Sequence, residues 1–363
     1  MPFKAYRYRF YPTPEQVQNL AQTFGCVRYV YNRSLRHRQD AWYERQENVS
    51  YLQSSALLTE WKKEPECLWL NEVSSVPLQQ SLRHLQTGYS HFFKGRAKYP
   101  NFKKKDEPQS AEFTTSAFKW DGEALKLAKQ SEPLDIRWSR HFVGKPTTVT
   151  VSKDTAGRYF VSLLVEEDIA LLPLINAAVG VDVGIKDVAV LSTGERTGNP
   201  RHTAKYAGAL AKAQRRLAKK QKGSNNRCKA KLKVARIHAK IADARRDFTH
   251  KLTTTLIREN QVICVESLAV KNMVRHPTLA KSIHDANWGG IGSPIGIQGR
   301  MVRAHGGFHR SLVPIKQTLF VLRAYRLYAG FKCPAMDLPG VQYRVRPGRE
   351  CGPEYPRGGA RRA

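Results

Sequence analysis

Apolar and polar positions change period several times along this chain, and each change marks an element. From Phe3 to Phe10 aromatic and basic side chains alternate (Phe3, Lys4, Tyr6, Arg7, Tyr8, Arg9, Phe10), the period-two pattern of a strand with one cationic face. Thr13 and Pro14 then supply an N-cap and a first helical residue, and Val17, Leu20, Phe24, Val27, Val30 and Tyr31 follow at helical spacing. Two more helices are predicted over Ser54 to Trp61 and Val76 to Phe93. Two such helices invite a helix-turn-helix reading, and an ordinary helical bundle with basic edges explains the same pattern. Between Glu112 and Glu167 the texture returns to β: Phe113 to Thr115, Leu125 to Leu127, Leu134 to Trp138, Thr147 to Val151 and Tyr159 to Val165, the last two joined by a turn at Asp154 to Gly157. These short strands predict a small barrel, completed by the first strand.

A proline-containing apolar linker over 169–176 leads into the run Ala178 to Leu191, where Asp182 stands between Gly180 and Gly184 inside an otherwise apolar strand. A carboxylate there loses hydration unless it is paired or binds a cation, and flanking glycines let a phosphate or another backbone approach closely. Val188 to Leu191 resumes the strand pattern and Ser192 to Glu195 reads as a hairpin turn, so Asp182 lies on the first strand of a meander. A long helical hairpin is predicted next. Leu210 and Leu217 mark its first arm, Gly223-Ser224-Asn225-Asn226 breaks it, and Val234, Ile237, Ile241, Ala244, Phe248, Leu252 and Leu256 mark the second at heptad-like spacing. Gln261 to Ser267 is a further short strand ending in Glu266. If it pairs beside the Asp182 strand, the two carboxylates converge, as a two-Mg²⁺ phosphodiester site requires.

Charge adds a partner. Lys and Arg number 61 against 30 Asp and Glu, a formal net charge of +31 over 363 residues. Such an excess points to nucleic acid, and 15 Tyr and 14 Phe supply surfaces on which unpaired bases can stack. The expected phosphate contacts are Lys4, Arg7 and Arg9 on the first strand. Lys94, Arg96, Lys98, Lys103, Lys104 and Lys105 follow in a basic, Gly- and Pro-broken loop, with Lys186 beside the Asp182 strand and Arg215, Arg216, Lys219 and Lys220 on the hairpin. No apolar run approaches a membrane span of roughly 18 residues and no signal-peptide core is evident, so a cytoplasmic location is expected. Six cysteines (Cys26, Cys67, Cys228, Cys264, Cys333, Cys351) include no C-x-x-C pair, which argues for reduced thiols and against an intact zinc ribbon.

Gly180 to Lys186, the basic hairpin, Val262 to Leu268 and the segment Ala280-Lys281-Ser282-Ile283-His284-Asp285-Ala286-Asn287-Trp288-Gly289, in this order, resemble the TnpB/OrfB family of insertion-sequence transposases, which is similar to type V CRISPR effectors. The resemblance runs from about Tyr6 to Gly289. It implies an α/β plus β-barrel protein: a wedge-type barrel over 1–11 and 94–168, a helical recognition insert over 12–93, and an RNase H-like RuvC nuclease domain over 176–289. It further implies a guide RNA from the transposon end, a DNA target, and Mg²⁺ held by three acids, of which Asp182 matches the first and Glu266 the second.

Past Gly289 the resemblance stops. The family continues with a helix, a zinc ribbon of two C-x-x-C pairs and a third acid in an Asp-Arg-Asp-x-Asn-Ala-Ala segment, whereas residues 290–363 are rich in Gly, Pro, Arg and Ala without periodicity. Synonymous codons for Gly290 to Gly299 can be chosen so that the frame one nucleotide later reads Glu-Leu-Val-Arg-Gln-Leu-Glu-Tyr-Lys. With the same offset, Val313 to Arg323, Ala335 onward and Tyr343 to Ala360 can yield both ribbon halves and Asp-Arg-Asp-Val-Asn-Ala-Ala. The codons for Trp288-Gly289-Gly290 contain a run of guanines where one extra nucleotide would shift the frame. The expectation is a poorly ordered, out-of-frame tail, zinc ligands absent, and nucleic-acid binding with little or no cleavage. Asp187 and Asp285 are unconvincing substitutes for the third acid. The competing readings are a non-catalytic nucleic-acid-binding remnant, a helix-turn-helix accessory protein reading DNA directly, and a sugar-kinase-like phosphotransferase. The last wants Ser or Thr soon after Gly184, where Ile185 and Lys186 stand instead.

Overall fold

In a computed structural model the chain is described over residues 3–168, 172–173, 175–265 and 268–291. Its first half builds one open sheet and three helices around a shared core. Strand β1 (Phe3–Phe10) pairs antiparallel with β7 (Tyr159–Glu166), and β7 with β6 (Pro146–Lys153), which pairs in turn with β2 (Gln109–Thr114). β5 (Ile136–Arg137) adds two residues on the other side of β1, giving the order β2-β6-β7-β1-β5. A separate hairpin of β3 (Phe118–Trp120) and β4 (Leu125–Leu127) places Leu125 and Leu127 in the same core.

The expected barrel is not closed among the described residues. β5 meets β1 only at Arg9↔Arg137 and Phe10↔Ile136, too short a ladder to carry the sheet round to β2. The helices fill the concave side instead. α1 (Pro14–Arg45) and α3 (Ser75–Phe93) bring Leu20, Phe24, Val27, Val30, Leu78 and Leu82 against Tyr8, Phe10, Val149, Val161 and Leu163. α2 (Tyr51–Trp61) and a 3-10 turn, Pro65–Asn71, complete the layer. The alternation in β1 behaves as its pattern dictates, with Tyr6, Tyr8 and Phe10 buried and Arg7 and Arg9 exposed. Lys4 departs from the cationic face: two residues before Tyr6, it shares the aromatic side and forms an ion pair with Glu167 at 3.6 Å.

α1 starts where Thr13 predicts. The Thr13 hydroxyl accepts from the Gln16 backbone N–H at 3.3 Å and the Gln16 side chain accepts from the Thr13 N–H at 3.1 Å, a reciprocal cap. Gln16 is buried, and its Nε2 also donates to the carbonyls of Glu132 and Pro133. The helix then runs without a break to Arg45, well past the last apolar position that marks it in the sequence, and ends on Gln46 in the left-handed region.

The second half holds a four-stranded sheet in the order β10-β9-β8-β11. β8 (Ala178–Asp182), β9 (Asp187–Leu191) and β10 (Arg196–Gly198) form the expected meander, its turn closed by Gly194 at φ 89°. β11 (Val262–Val265) lies parallel to β8. Between them the chain makes α4 (His202–Ala218) and the 35-residue α5 (Asn225–Glu259), reversing at Gly223 (φ 84°) with Ser224 as N-cap. α6 (Val270–Met273) and α7 (Ala280–Ala286) follow. Val179, Val181, Val188, Leu191, Leu256, Ile263, Ile283 and Trp288 form this core. The hairpin is latched back to the first half: Arg158, after the β6–β7 turn, bonds Asp154 at 2.7 Å and reaches Asp243 of α5, and Lys231 pairs with Asp106 at 2.6 Å.

Gln16→Ala removes one cap bond and leaves two loop carbonyls without their donor, each cost being about 1 kcal/mol. Stability should fall by about 3 kcal/mol in a denaturant melt, whereas Gln18→Ala, on the same helix, should change it by less than about 0.5 kcal/mol.

Candidate active site

Asp182 is the last residue of β8, cross-strand from Val190 of β9. The strand before it is buried (Val179, Gly180, Val181), but Asp182 itself is exposed. This corrects the expectation of a carboxylate costly to desolvate: the group is open to water. On its other side β8 meets β11 in register, Val262↔Ala178 through Val265↔Val181. The described ladder therefore stops one residue short of both acids. Glu266 lies outside the described residues, as do Ser267 and the whole of 292–363, including Cys333 and Cys351.

The loop after Asp182 is built on close backbone approach. A Cβ at Gly184 would lie 2.8 Å from the Asp187 carbonyl oxygen, so only glycine fits without displacing β9. The Gly184 carbonyl accepts from the Trp288 indole Nε1 at 3.1 Å, and the Gly180 N–H donates to the Ser192 hydroxyl at 3.0 Å. Trp288 is buried just after α7 and thus holds the Asp182 loop from below. Its place in the Asn287-Trp288-Gly289 motif was visible in the sequence, but its partner was not.

Asp285 has a different task. Its carboxylate accepts from the Thr203 backbone N–H at 2.9 Å, from the Thr203 hydroxyl at 2.8 Å and from Arg245 Nε at 3.1 Å, while Arg245 also bonds the Thr203 hydroxyl. The N-cap of α4, Arg201, is left-handed and offers no side-chain cap, so Asp285 supplies one from α7, where a negative charge also meets the positive end of the helix. With a tenth of its side chain exposed, Asp285 is a structural acid. Among the described residues no group of three His, Cys, Asp or Glu side chains is arranged to hold a metal, and Cys26, Cys67, Cys228 and Cys264 are free thiols. Burial pushes the Cys26 thiol up to about 11, which keeps it protonated and a poor ligand.

The basic positions divide into exposed and engaged. Lys94, Arg96, Lys98, Lys104, Lys105, Lys186, Arg215, Arg216, Lys219 and Lys220 are exposed. Lys103 is turned inward: its backbone exchanges two hydrogen bonds with the Asn32 side chain, its ammonium lies 4.2 Å from the Tyr31 ring centroid, and burial lowers its pKa. Arg7, though exposed, stacks 4.1 Å over Phe160. Arg227 was not anticipated by sequence; it donates to the carbonyls of Leu217 and Lys220 and so caps the C-terminus of α4.

Comparison with known proteins gives this arrangement a lineage. A family profile described as "Probable transposase" matches residues 161–276, and one described as "Helix-turn-helix domain" matches residues 1–47. A protein of Streptomyces pristinaespiralis, named "Putative RNA-guided DNA endonuclease", is 56% identical over 288 residues, covering 78% of this chain and 72% of that one. The Escherichia coli K12 protein "Putative RNA-guided DNA endonuclease InsQ" is 31% identical over 85% of this chain and 74% of its own length. A cryo-EM structure of a Cas12f1-sgRNA-target DNA complex aligns with TM-score 0.47 and 11% identity over 88% of this chain and 80% of that chain. The matched class is that of mixed α/β transposases. Within it, the chain belongs to the TnpB/OrfB family. The 1–47 match falls on β1 and one uninterrupted helix, so that span contains no helix-turn-helix pair. No described helix is long and apolar enough to cross a membrane.

Asp182 and Asp285 should separate by their environments. Asp285→Ala leaves Arg245 and the α4 N-terminus without their acceptor and should lower stability by about 3 kcal/mol. Asp182→Ala, at an exposed strand end, should change it by less than about 0.5 kcal/mol; thermal or urea melts of the two variants decide it.

Proposed function

We propose that this chain is an RNA-guided DNA-binding protein of its family, descended from a Mg²⁺-dependent endonuclease and impaired in the cleavage step. The observation that carries the reading is the strand order: β8 between antiparallel β9 and parallel β11, with Asp182 at the carboxyl end of β8 and Glu266 the next residue after the described end of β11. Continued by one residue, that register would set Asp182 beside Glu266, the RNase H-like disposition of two metal-holding acids. In the same reading, residues 1–11 and 94–168 form the wedge-type unit, 12–93 the helical recognition insert, and 176–289 an incomplete RuvC domain.

A divalent cation, when bound at such a site, supplies the Lewis acidity that phosphodiester hydrolysis needs. The described residues do not fit a complete two-cation clamp: Asp182 is there, Asp285 is committed to Thr203 and Arg245, and the family's third acid belongs to the region that the frame change would replace. What the chain can do is bind. Exposed cations on the α4–α5 hairpin and on the 94–105 loop meet phosphates, and base pairing by a transposon-end RNA would supply sequence choice. A non-catalytic remnant in this sense differs from an active nuclease only in cleavage.

With RNA transcribed from its own transposon end and a matching duplex, the full chain should retain the DNA on a filter or gel yet nick it no faster in Mg²⁺ than Asp182→Ala does. Efficient Mg²⁺-dependent nicking that vanishes in Asp182→Ala would overturn the impairment. Sequencing the source DNA across the codons for Trp288 to Gly290 tests its cause, since one guanine fewer restores the ribbon and the third acid.

Binding itself has a separate signature. Replacing Arg215, Arg216, Lys219 and Lys220 together by Gln should reduce the slope of log affinity against log salt by about 3.6, since each phosphate neutralised contributes about 0.9. An unchanged slope would take the hairpin out of the interface.

A further inference from the structure

Beside the five-stranded sheet lies a cleft of about 600 Å³ lined by Trp120, Trp138, Phe142, Arg140, His141 and the turn 122–124. Its walls are aromatic. Trp120 and Phe142 face each other with centroids 5.4 Å apart and planes inclined by 30°, and Trp138 meets Trp120 edge-on, also at 5.4 Å. All three rings are partly exposed while packing on the core. The frame is fixed on both sides. The Asp121 carboxylate accepts from the backbone N–H groups of Glu123 and Ala124 at 2.9 and 2.7 Å and holds a tight turn through Gly122 at φ 110°. The Tyr8 hydroxyl donates to the Arg140 carbonyl at 3.0 Å.

Charge says what such a cleft would take. Arg140 and His141 stand exposed at its rim, with Glu123 the acid among the lining residues. Next to the two tryptophans in sequence, Lys119 lies directly cross-strand from Lys126 and Arg137 directly cross-strand from Arg9, and all four are exposed. None of these four lines the cleft, and Lys119, one residue before Trp120 on β3, points to the opposite face; the basic groups that do line it are Arg140 and His141.

We propose that this cleft seats one unpaired nucleobase of a single-stranded segment, stacked on Trp120 and Phe142, with Arg140 and His141 meeting the adjoining phosphates. The inference rests on the nucleic-acid reading above and adds to it a base-stacking site that cleavage chemistry does not require. Stacking on aromatic side chains is sequence-tolerant, so the site would discriminate unpaired from paired strands rather than one base from another.

The test is fluorescence anisotropy of the full chain with labelled 12-nucleotide single-stranded RNA, single-stranded DNA, an abasic strand of the same length, and a duplex. Trp120→Leu keeps an apolar side chain and removes the ring. It should weaken single-strand binding about tenfold, leave the duplex and abasic strand within twofold, and be rescued by Trp120→Phe. Arg140→Gln, which leaves the Tyr8 contact to the backbone intact, should weaken single strands about threefold and guards against a folding defect in Trp120→Leu. Loss confined to RNA or to DNA assigns the source of the base. Equal binding of Trp120→Leu and the wild type to every strand overturns the stacking site alone, and failure of the wild type to bind any of the four overturns the nucleic-acid reading with it.

Discussion

The parallel ladder between β8 and β11 is the constraint on which the second half of the molecule depends. It joins positions 178–181 to 262–265, so the whole meander and helical hairpin are the excursion that lets the chain return in the same direction. Closing so long a loop costs entropy that grows only slowly with its length. The apolar set brought together repays it: Val179, Val181 and Ile263 are nearly or fully buried, and Leu256, Ile283 and Trp288 pack on them. Because parallel strands end at the same edge, the ladder also decides where chemistry can occur. Asp182 comes to that edge for this reason and not because an apolar pocket encloses it.

Asp182 and Asp285 have opposite surroundings in this half of the fold. Asp285 is largely removed from water and has three donors, so its charge is fully engaged inside the protein. Asp182 is exposed, its backbone loop held by Gly184 and by the indole of Trp288. A ligand for a cation must be positioned yet uncommitted, and of the two only Asp182 meets both conditions. The Trp288 bond links this positioning to the last segment of recognisable motif before the sequence changes character.

Much of this was legible because local chemistry and the global fold agree. The Thr13 cap, the Gly223-Ser224 break, the period-two strands and the Gly194 turn each follow from a residue type that few other conformations accommodate. What was not legible depended on distance in the chain. Nothing in the alternation of β1 says that Lys4 has Glu167 as a neighbour, and the apolar spacing that ends near Tyr31 gives no sign that α1 runs on to Arg45. The open sheet was missed because strand propensity cannot tell a ladder of two residues at β5 from one of six. Asp182 was misread as buried because an apolar run does not show which of its positions stay open to water.

The same reasoning bears on how the protein would meet nucleic acid. The span that matches the profile described as a helix-turn-helix contains the one long helix α1, and its five arginines are occupied within the protein. Arg28 bonds Gln109, Arg33 pairs with Glu64, Arg36 with Asp40, and Arg45 with Glu47, while Arg38 bonds Gln86 and the Val49 carbonyl. Its apolar face is in the core. A recognition helix must bring uncommitted side chains to base edges in a groove, and α1 has committed its own to folding. The α4–α5 hairpin is the converse: no residue of α4 is buried, and Arg215, Arg216, Lys219 and Lys220 crowd the turn. Cations so arranged follow a phosphate backbone of any sequence. In the proposed reading, discrimination between targets falls to base pairing by a bound strand.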